Sequence, residues 1–240
     1  KGLGAAMLRY NEDRLREIAS THPAGEKQLR TWATDGEYGA LALFVGSGYR
    51  PVRYYVQMIR PIDASLPAAP MPQGLDVRPV KPDHIRAIWE AKGEALRDHW
   101  GYTPATEQDY ERWTRGRIFT PHLWKVAWDG KQVAGVVLNR LDEAQNHKYK
   151  RRRGYTTYIC VRRPWRRRGL ARSLLVQSIV MFRELGMEET ALGVDTQNPS
   201  GALNLYRGVG YRMTKRHTFF GKRLDGIALT ITGEGGVTCN

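Results

Sequence analysis

The stretch that decides the fold is YTTYICVRRPWRRRGLARSLL, residues 155–175. Its first part, Tyr155 to Val161, is rich in β-branched and aromatic residues and reads as a strand. Its last part opens at Gly169 into a helical period, with Leu174, Leu175, Met181, Phe182 and Leu185 expected to face a core and Gly186 to end the helix. A turn crowded with arginines joins the two. The first turn of a helix offers backbone N–H groups with no internal partner, and its dipole favours anions. Gly169 lets the backbone approach a phosphate without a Cβ in the way, and Ala171 keeps the next turn slim. Arg166, Arg167 and Arg168 add positive charge at the same place. The physics predicts a phosphate cradle, although neither the P-loop lysine motif nor the GxGxxG turn of dinucleotide folds is present.

Outward from this turn the pattern keeps alternating. Thr190–Val194 reads as a strand, Ser200–Arg207 as a helix and Tyr211–Phe220 as a closing strand. Upstream, LDVRPV from Leu75 reads as a strand. Asp83 is expected to cap a helix through Ile85, Ile88, Trp89 and Leu96 that ends near Gly101. Thr106 and Asp109 form a capping-box pattern for a helix to about Ile118. Leu123–Trp128 and Gln132–Leu141 read as strands joined at Asp129-Gly130, a strong hairpin signal. The order strand, two helices, three strands, helix, strand, helix, strand predicts a mixed α/β domain with a sheet that is antiparallel early on. Before it, Leu3, Met7, Leu8, Leu15 and Ile18 fall near one face of a helix. Gln28–Ala33 reads as a strand, Gly39–Val45 as a short helix and Val52–Ile59 as a strand. Pro61, Pro67, Pro70 and Pro72 then mark a semi-stiff linker reaching Gly74. The tail from Asp225 carries no periodic signal.

The chain also repeats itself. GALALFVGSGYR at residues 39–50 matches GALNLYRGVGYR at 201–212 in eight of twelve positions, at an offset of 162. GLGAAMLRY from Gly2 matches GLARSLLVQ from Gly169 at an offset of 167. Two colinear matches point to an internal duplication of a whole domain. The expected organisation is a C-terminal half of a first copy at 1–63, a Pro-rich linker at 64–74, a complete second copy at 75–222 and a tail at 223–240. The first copy begins inside a motif, so the chain is expected to be truncated at its N-terminus.

Composition narrows the function classes. The longest apolar run, Ala40 to Val45, is too short to span a membrane as a helix. Cys160 and Cys239 form no disulfide framework, and the scattered histidines give no zinc spacing. The chain reads as a reduced cytoplasmic protein without a structural metal. A net charge of +14 attracts polyanions or phosphorylated cofactors. Ten of the 38 basic residues lie in two clusters, Lys148–Arg153 and Arg162–Arg168, the second at the helix-opening turn.

At that turn the chain resembles a known family. Arg166-Arg167-Arg168-Gly169-Leu170-Ala171 is similar to the Q/R-x-x-G-x-G/A pyrophosphate loop of the GCN5-related N-acetyltransferases. Asn198-Pro199-Ser200-Gly201-Ala202-Leu203-Asn204-Leu205-Tyr206, followed by Gly210-Tyr211, resembles the family's second signature. Both together, in the expected order of strand and helix, make the resemblance specific over residues 75–222. The whole chain looks like a tandem member with the layout of mycothiol synthase-type enzymes. The resemblance implies the acyl-CoA N-acyltransferase fold: a mixed, mostly antiparallel sheet with splayed central parallel strands, flanked by helices, here as a partial plus a complete copy. It implies acetyl-CoA as cosubstrate, in a gap between strands 155–161 and 190–194. Backbone groups near Ile159 and Val161 would pair with the pantetheine arm, the amides from Arg167 to Ala171 would hold the pyrophosphate, and Asn198 would bond the pantetheine. The acetyl group would pass directly to a primary amine, small molecule or peptide, with Tyr206 as general acid. A free tyrosine has a pKa near ~10 and keeps its proton at pH 7.

The first copy acts as an internal control. Its counterpart of Tyr206 is Phe44, which has no proton to give, and carboxylates at Asp35 and Glu37 stand where Asn198–Ser200 stands in the second. The first copy is therefore expected to be catalytically silent. No carboxylate lies on the strand 155–161 to act as base; Thr157 or Tyr158 holding water, or Asp195, are the alternatives. Glu94, Asp98, His99, Trp100 and Tyr102 are expected on the acceptor side, where carboxylates and rings suit a cationic amine. Cys160 reads as packing. Two other function classes fit parts of the sequence. Basic clusters interleaved with Tyr149, Tyr155 and Trp165 suit a nucleic-acid-binding module, although a loop with a phosphate ligand of its own makes nucleic acid the weaker reading. A non-catalytic CoA-binding regulatory domain is the third.

Overall fold

The computed structural model describes residues 2–198 and 200–224. Pro199 of the second signature, Cys239 and the tail 225–240 lie outside the described residues. In chain order the elements are α1 (Leu3–Ser20), β1 (Gln28–Thr34), α2 (Tyr38–Gly46), β2 (Arg50–Pro61), β3 (Asp76–Arg78), α3 (Ile85–Ala95), α4 (Glu107–Thr114), β4 (Lys125–Asp129), β5 (Gln132–Leu141), α5 (Glu143–Lys148), β6 (Arg153–Val161), α6 (Leu170–Glu184), β7 (Glu189–Asp195), α7 (Ala202–Gly208) and β8 (Arg212–Arg223). They fall into two compact units, one of residues 2–56, 195–197 and 215–224 and the other of residues 57–194, 198 and 200–214.

The larger unit carries the arginine turn. Its strands run in the order β7-β6-β5-β4-β3, parallel between β6 and β7 and antiparallel across the rest. This is the mixed, mostly antiparallel α/β arrangement the sequence predicts. Seven consecutive residues of β5, Val133 to Asn139, are buried, because both faces are covered. On one face Ile85, Ile88, Ala91 and Ala95 of α3 pack on Val126, Trp128, Val136, Leu138 and Cys160. On the other, Leu170 and Leu174 of α6 pack on Ala127, Ala134 and Val137.

One register shift organises this unit. Leu138 pairs with Tyr158 but its neighbour Asn139 pairs with Thr156, so Thr157 is an extra residue in β6. Side chains alternate between faces along a strand, and an extra residue reverses the alternation and bends the strand. Before the bulge the even residues face α6. A Cβ on Gly154 would run into the ring of Phe182, and Thr156 donates to Asn139 Oδ1 at 2.8 Å. After it, Ile159 and Val161 face α6 while Cys160 packs with α3. The bulge is held by hydrogen bonds. Thr157 Oγ1 donates to Leu138 O at 3.0 Å. Asn139 Nδ2 donates to Leu123 O and to Ser178 Oγ, both at 2.9 Å. Pairing of β6 with β7 ends at the same level, Thr156 with Leu192, although β6 continues to Val161 and β7 to Asp195.

The residues after β2 are pinned within this unit. Arg60, fully buried, donates through Nε to Val209 O at 2.7 Å, through Nη1 to Pro61 O at 2.7 Å and through Nη2 to Ala64 O and Ser65 O, both at 2.8 Å. Each guanidinium nitrogen therefore finds a carbonyl, as a buried charge requires.

The smaller unit pairs β1 antiparallel with β8, from Gln28 with Arg223 to Thr34 with His217. Leu29, Ala33, Tyr49 and Phe220 form its core, with Leu8, Leu41 and Phe44 packed against them. The repeated segments share local geometry. Gly2 and Gly169 both open their helices in the left-handed conformation, at φ 91° and 83°. After α2 and α7, Tyr49 N–H bonds Phe44 O and Tyr211 N–H bonds Tyr206 O, both at 3.0 Å.

Several local expectations need correction. Leu185 is 45% exposed, because α6 stops at Glu184 and Leu185 is its C-cap. On α1, Leu3, Met7, Leu15 and Ile18 are exposed; the buried position is Glu12, which accepts from Lys222 at 2.9 Å and Arg16 at 3.1 Å. Asp83 does not cap α3: Pro82–His84 forms a 3-10 turn, and His84 Nδ1 accepts from Lys81 N–H at 3.2 Å. α3 ends at Ala95 rather than near Gly101, and α4 ends at Thr114 rather than Ile118. α5 has no counterpart in the sequence reading; Asp142 caps it by accepting from Gln145 N–H at 3.0 Å.

Asn139→Leu removes the carboxamide from this buried network. It should destabilise the protein by about 1–3 kcal/mol for each polar group left without a partner, read as a lower urea midpoint at constant slope. An unchanged midpoint would mean that the bulge is held by packing alone.

Candidate functional site

The start of α6 is built to receive an anion. The first i→i−4 bond of the helix is Ser173 N–H to Gly169 O at 3.1 Å. The N–H groups of Leu170, Ala171 and Arg172 therefore precede the helical ladder. Two left-handed residues, Arg167 at φ 63° and Gly169 at φ 83°, wrap the turn ahead of them. For a residue with a Cβ that conformation costs about 1–2 kcal/mol, and it places Arg167 at the rim of a cavity of about 670 Å³.

The exposed edge of β6 continues this cavity. Arg162 N–H bonds Ala134 O on β5 at 3.1 Å. Backbone groups of successive strand residues point to opposite sides, so those of Cys160 face β5 and those of Ile159 and Val161 face the gap beyond Thr156. Val161 O already accepts from Arg166 Nε at 2.9 Å.

The cavity brings together Ile159, Val161, Arg166, Arg167, Gly169, Leu170, Ala171, Asn198 and Tyr206, which are all of the site residues expected from sequence except Arg168. Arg168 turns away and donates to Gln73 O at 3.1 Å. Asn198 Oδ1 accepts from Ser200 N–H at 2.9 Å, which leaves its Nδ2 amide to donate elsewhere. Tyr206 is buried on α7, its ring edge-on to Tyr211 at 6.3 Å. Burial raises its pKa well above the usual tyrosine value, and the neighbouring Cys160 and Tyr211 push the same way. The Cys160 thiol is pushed up to about 12 by burial, although Lys92 and Arg166 pull it back. It is a protonated packing group and not a nucleophile.

The arginine cluster is largely consumed by internal pairing. Arg163 Nη2 and Arg166 Nη1 hold Asp98 at 2.5 and 2.9 Å, and Arg166 Nη2 donates to Ala95 O at 3.2 Å. Arg162 Nε pairs with Glu94 at 2.8 Å. In the other cluster Arg152 pairs with Glu188 at 2.6 Å and Arg153 with Glu189 at 2.7 Å. These pairs leave less free charge for a polyanion than the net charge suggests. They also correct the acceptor-side expectation. Glu94 and Asp98 brace the turn and are not free carboxylates waiting for a cation. Asp98 and His99 do line the cavity.

The expected bases are engaged too. Asp195 accepts from Arg53 Nε and from Gln197 N–H, both at 2.9 Å. Thr157 is the bulge residue. Among the described residues no group of His, Cys, Asp or Glu is arranged to hold a metal ion, and no helix is long and apolar enough to cross a membrane. The residue missed from sequence is Lys92 on α3, buried beside Cys160.

Comparison with known proteins agrees with this geometry. The family model described as "Acetyltransferase (GNAT) family" matches residues 85–211. A mycothiol acetyltransferase of Thermobispora bispora is 27% identical over 212 residues, covering 88% of this chain and 68% of its own length. The crystal structure of a GCN5-related N-acetyltransferase from Sphaerobacter thermophilus superposes with a TM-score of 0.77 at 29% identity, over 96% of this chain and 71% of that one. A tandem GNAT protein from the clavulanic acid biosynthesis pathway shares the fold with a TM-score of 0.65 at 14% identity, over 93% and 70%. The chain belongs to the GNAT family and is an N-acetyltransferase.

The two arginines hold the Asp98 carboxyl down at about 2. A depressed carboxyl contributes stability above its ordinary pKa near ~4 and loses it as pH falls through the folded value. The clamp is thus intact at pH 4 and above and is lost towards pH 2. Asp98→Asn should speed amide hydrogen exchange at 163–168 at pH 7 and leave the centre of α6 unchanged. Equal exchange in both proteins would show that Asp98 does not brace the turn.

Proposed function

We propose that the chain transfers the acetyl group of acetyl-CoA directly to a primary amine, using the site on β6, α6 and α7. The observation that carries this reading is one cavity joining three things: the open N–H groups of α6, the edge of β6 beyond its pairing with β7, and Tyr206. The residues fit the cosubstrate. The amides from Arg167 to Ala171 would hold the pyrophosphate, with the charge of Arg167 beside it. Ile159 and Val161 would pair with the pantetheine amides as an added strand would, and Asn198 would donate to the same arm. Bound there, acetyl-CoA supplies the thioester carbonyl that the amine attacks.

Tyr206 then protonates the departing thiolate. Burial keeps its proton in place across the working pH range, and the same burial raises the proton affinity of the departing thiolate that receives it. The likeness to mycothiol acetyltransferases supports a small-molecule amine as acceptor; a peptide N-terminus is the alternative. On this reading residues 75–222 form the catalytic copy, joined by 64–74 to the half copy 1–63, and the protein works in the reducing cytoplasm. Phe44, packed 5.8 Å from Phe220 and 6.0 Å from Tyr49, leaves the first copy without a proton donor.

The test is turnover with a panel of glucosamine, cysteine and a short peptide with a free N-terminus. Tyr206→Phe should lower kcat by about 10²- to 10⁴-fold and leave acetyl-CoA affinity unchanged. Undiminished kcat in Tyr206→Phe, or a gain in Phe44→Tyr, would contradict the assignment.

A further inference from the structure

Lys92 is a nearly buried cation, 8% exposed. Its ammonium sits 4.0 Å from the ring centroid of Trp89 on its own helix, 4.8 Å from Trp113 on α4 and 5.0 Å from Tyr158 on β6. Trp113 in turn stacks on Trp124 at 5.2 Å. Tyr158, 38% exposed, is its open wall. The titratable groups facing the ammonium are the Tyr158 hydroxyl and the Cys160 thiol; among the described residues no carboxylate is paired with it. Two residues further along α3, Glu94 is already taken by Arg162.

A structural lysine would be paired, or would extend its ammonium into water. This one is held where both of its forms are supported. Aromatic faces attract the ammonium, while burial favours the neutral amine and pushes its pKa down to about 8. It also stands next to the proposed chemistry. Lys92 borders the cavity and does not line it: Ala95, three residues further along α3, and Cys160, whose charge would be felt by both Lys92 and Tyr206, are lining residues. The strand offers no carboxylate for this task, and Asp195 is spent on Arg53.

Resting on the acetyl-transfer reading, we propose that Lys92 is the proton acceptor that converts the incoming ammonium of the acceptor into a nucleophilic amine. The acceptor arrives as R–NH3⁺ and passes one proton to the neutral Lys92 amine. Its freed lone pair forms the C–N bond as the C–S bond breaks. The thiolate takes the Tyr206 proton, the new amide nitrogen sheds one proton that restores Tyr206, and Lys92 returns its own to solvent. The balance is one acetamide, one thiol and one proton released.

The test is kcat/KM between pH 6 and 10, with the panel amine that turns over fastest, for the unaltered chain, Lys92→Arg and Lys92→Met. Arginine keeps a cation over the rings but cannot lose its proton; methionine keeps the volume. The unaltered chain should show a rising limb near pH 8. Both variants should lose about 10²- to 10⁴-fold in kcat at pH 7, with the limb moved to the free amine's own pKa and calorimetric acetyl-CoA affinity unchanged. Variants that keep both rate and limb while Tyr206→Phe is crippled would overturn the role of Lys92 alone. Variants that lose acetyl-CoA affinity or thermal stability while the limb stays put would overturn it in favour of a structural lysine. An unaltered chain that neither binds acetyl-CoA nor turns over any panel amine would overturn the acetyl-transfer reading and the role of Lys92 with it.

Discussion

One unpaired residue in a central strand, Thr157, governs the rest of the larger unit. Its insertion reverses the faces of β6, so that Thr156 points to α6 and Cys160 to α3. It sits where pairing with β7 ends, and a bulge adds twist that carries a strand away from its neighbour. The polar network of Asn139, Thr156 and Ser178 fixes the place. Buried amides and hydroxyls that satisfy one another specify a single register, whereas apolar residues there would tolerate a slip. Beyond the bulge the edge of β6 is open, and the unladdered amides of α6 lie along the same cavity.

The turn between that strand and α6 is set by charge. A run of arginines would repel itself in isolation. Here Arg162, Arg163 and Arg166 are neutralised from the end of α3 by Glu94 and Asp98. The pairs are partly exposed, so their contribution is geometric more than energetic. They fix the direction of the chain into the left-handed residues Arg167 and Gly169. Arg167 lines the cavity and, among the described residues, is paired with no carboxylate. The same clamp draws the chain after α3 to the cavity, which brings His99 there as well.

Most elements were legible in the sequence because each follows from local chemistry. The Asp129-Gly130 hairpin, the Thr106–Asp109 capping box and the left-handed Gly169 all form as their residues predict. The failures have a common cause. The bulge at Thr157 depends on Asn139 and Ser178, residues distant in sequence, and no strand pattern reports it. The roles of Asp98 and Glu94 depend on partners more than sixty positions away. Lys92 carries no signal in the sequence, because its surroundings come from Trp113 and Tyr158 reaching it from other elements. α5 was hidden by the arginine cluster that follows it. Leu185 was misplaced because a hydrophobic period does not say on which residue a helix ends. Of the candidate site, the arginine turn and the Tyr206 segment are contiguous motifs and so show in the sequence; the grouping of Lys92 with Trp113 and Tyr158 is not contiguous and does not.

The open start of α6 and the open edge of β6 would bind acetyl-CoA as one site. The most direct measurement is calorimetric titration with acetyl-CoA, with S-acetylpantetheine, which lacks the ADP-pyrophosphate end, and with duplex DNA. Micromolar binding of acetyl-CoA, a large loss of affinity for the truncated thioester and weak binding of DNA are expected. Absence of acetyl-CoA binding together with tight, salt-sensitive DNA binding would contradict this.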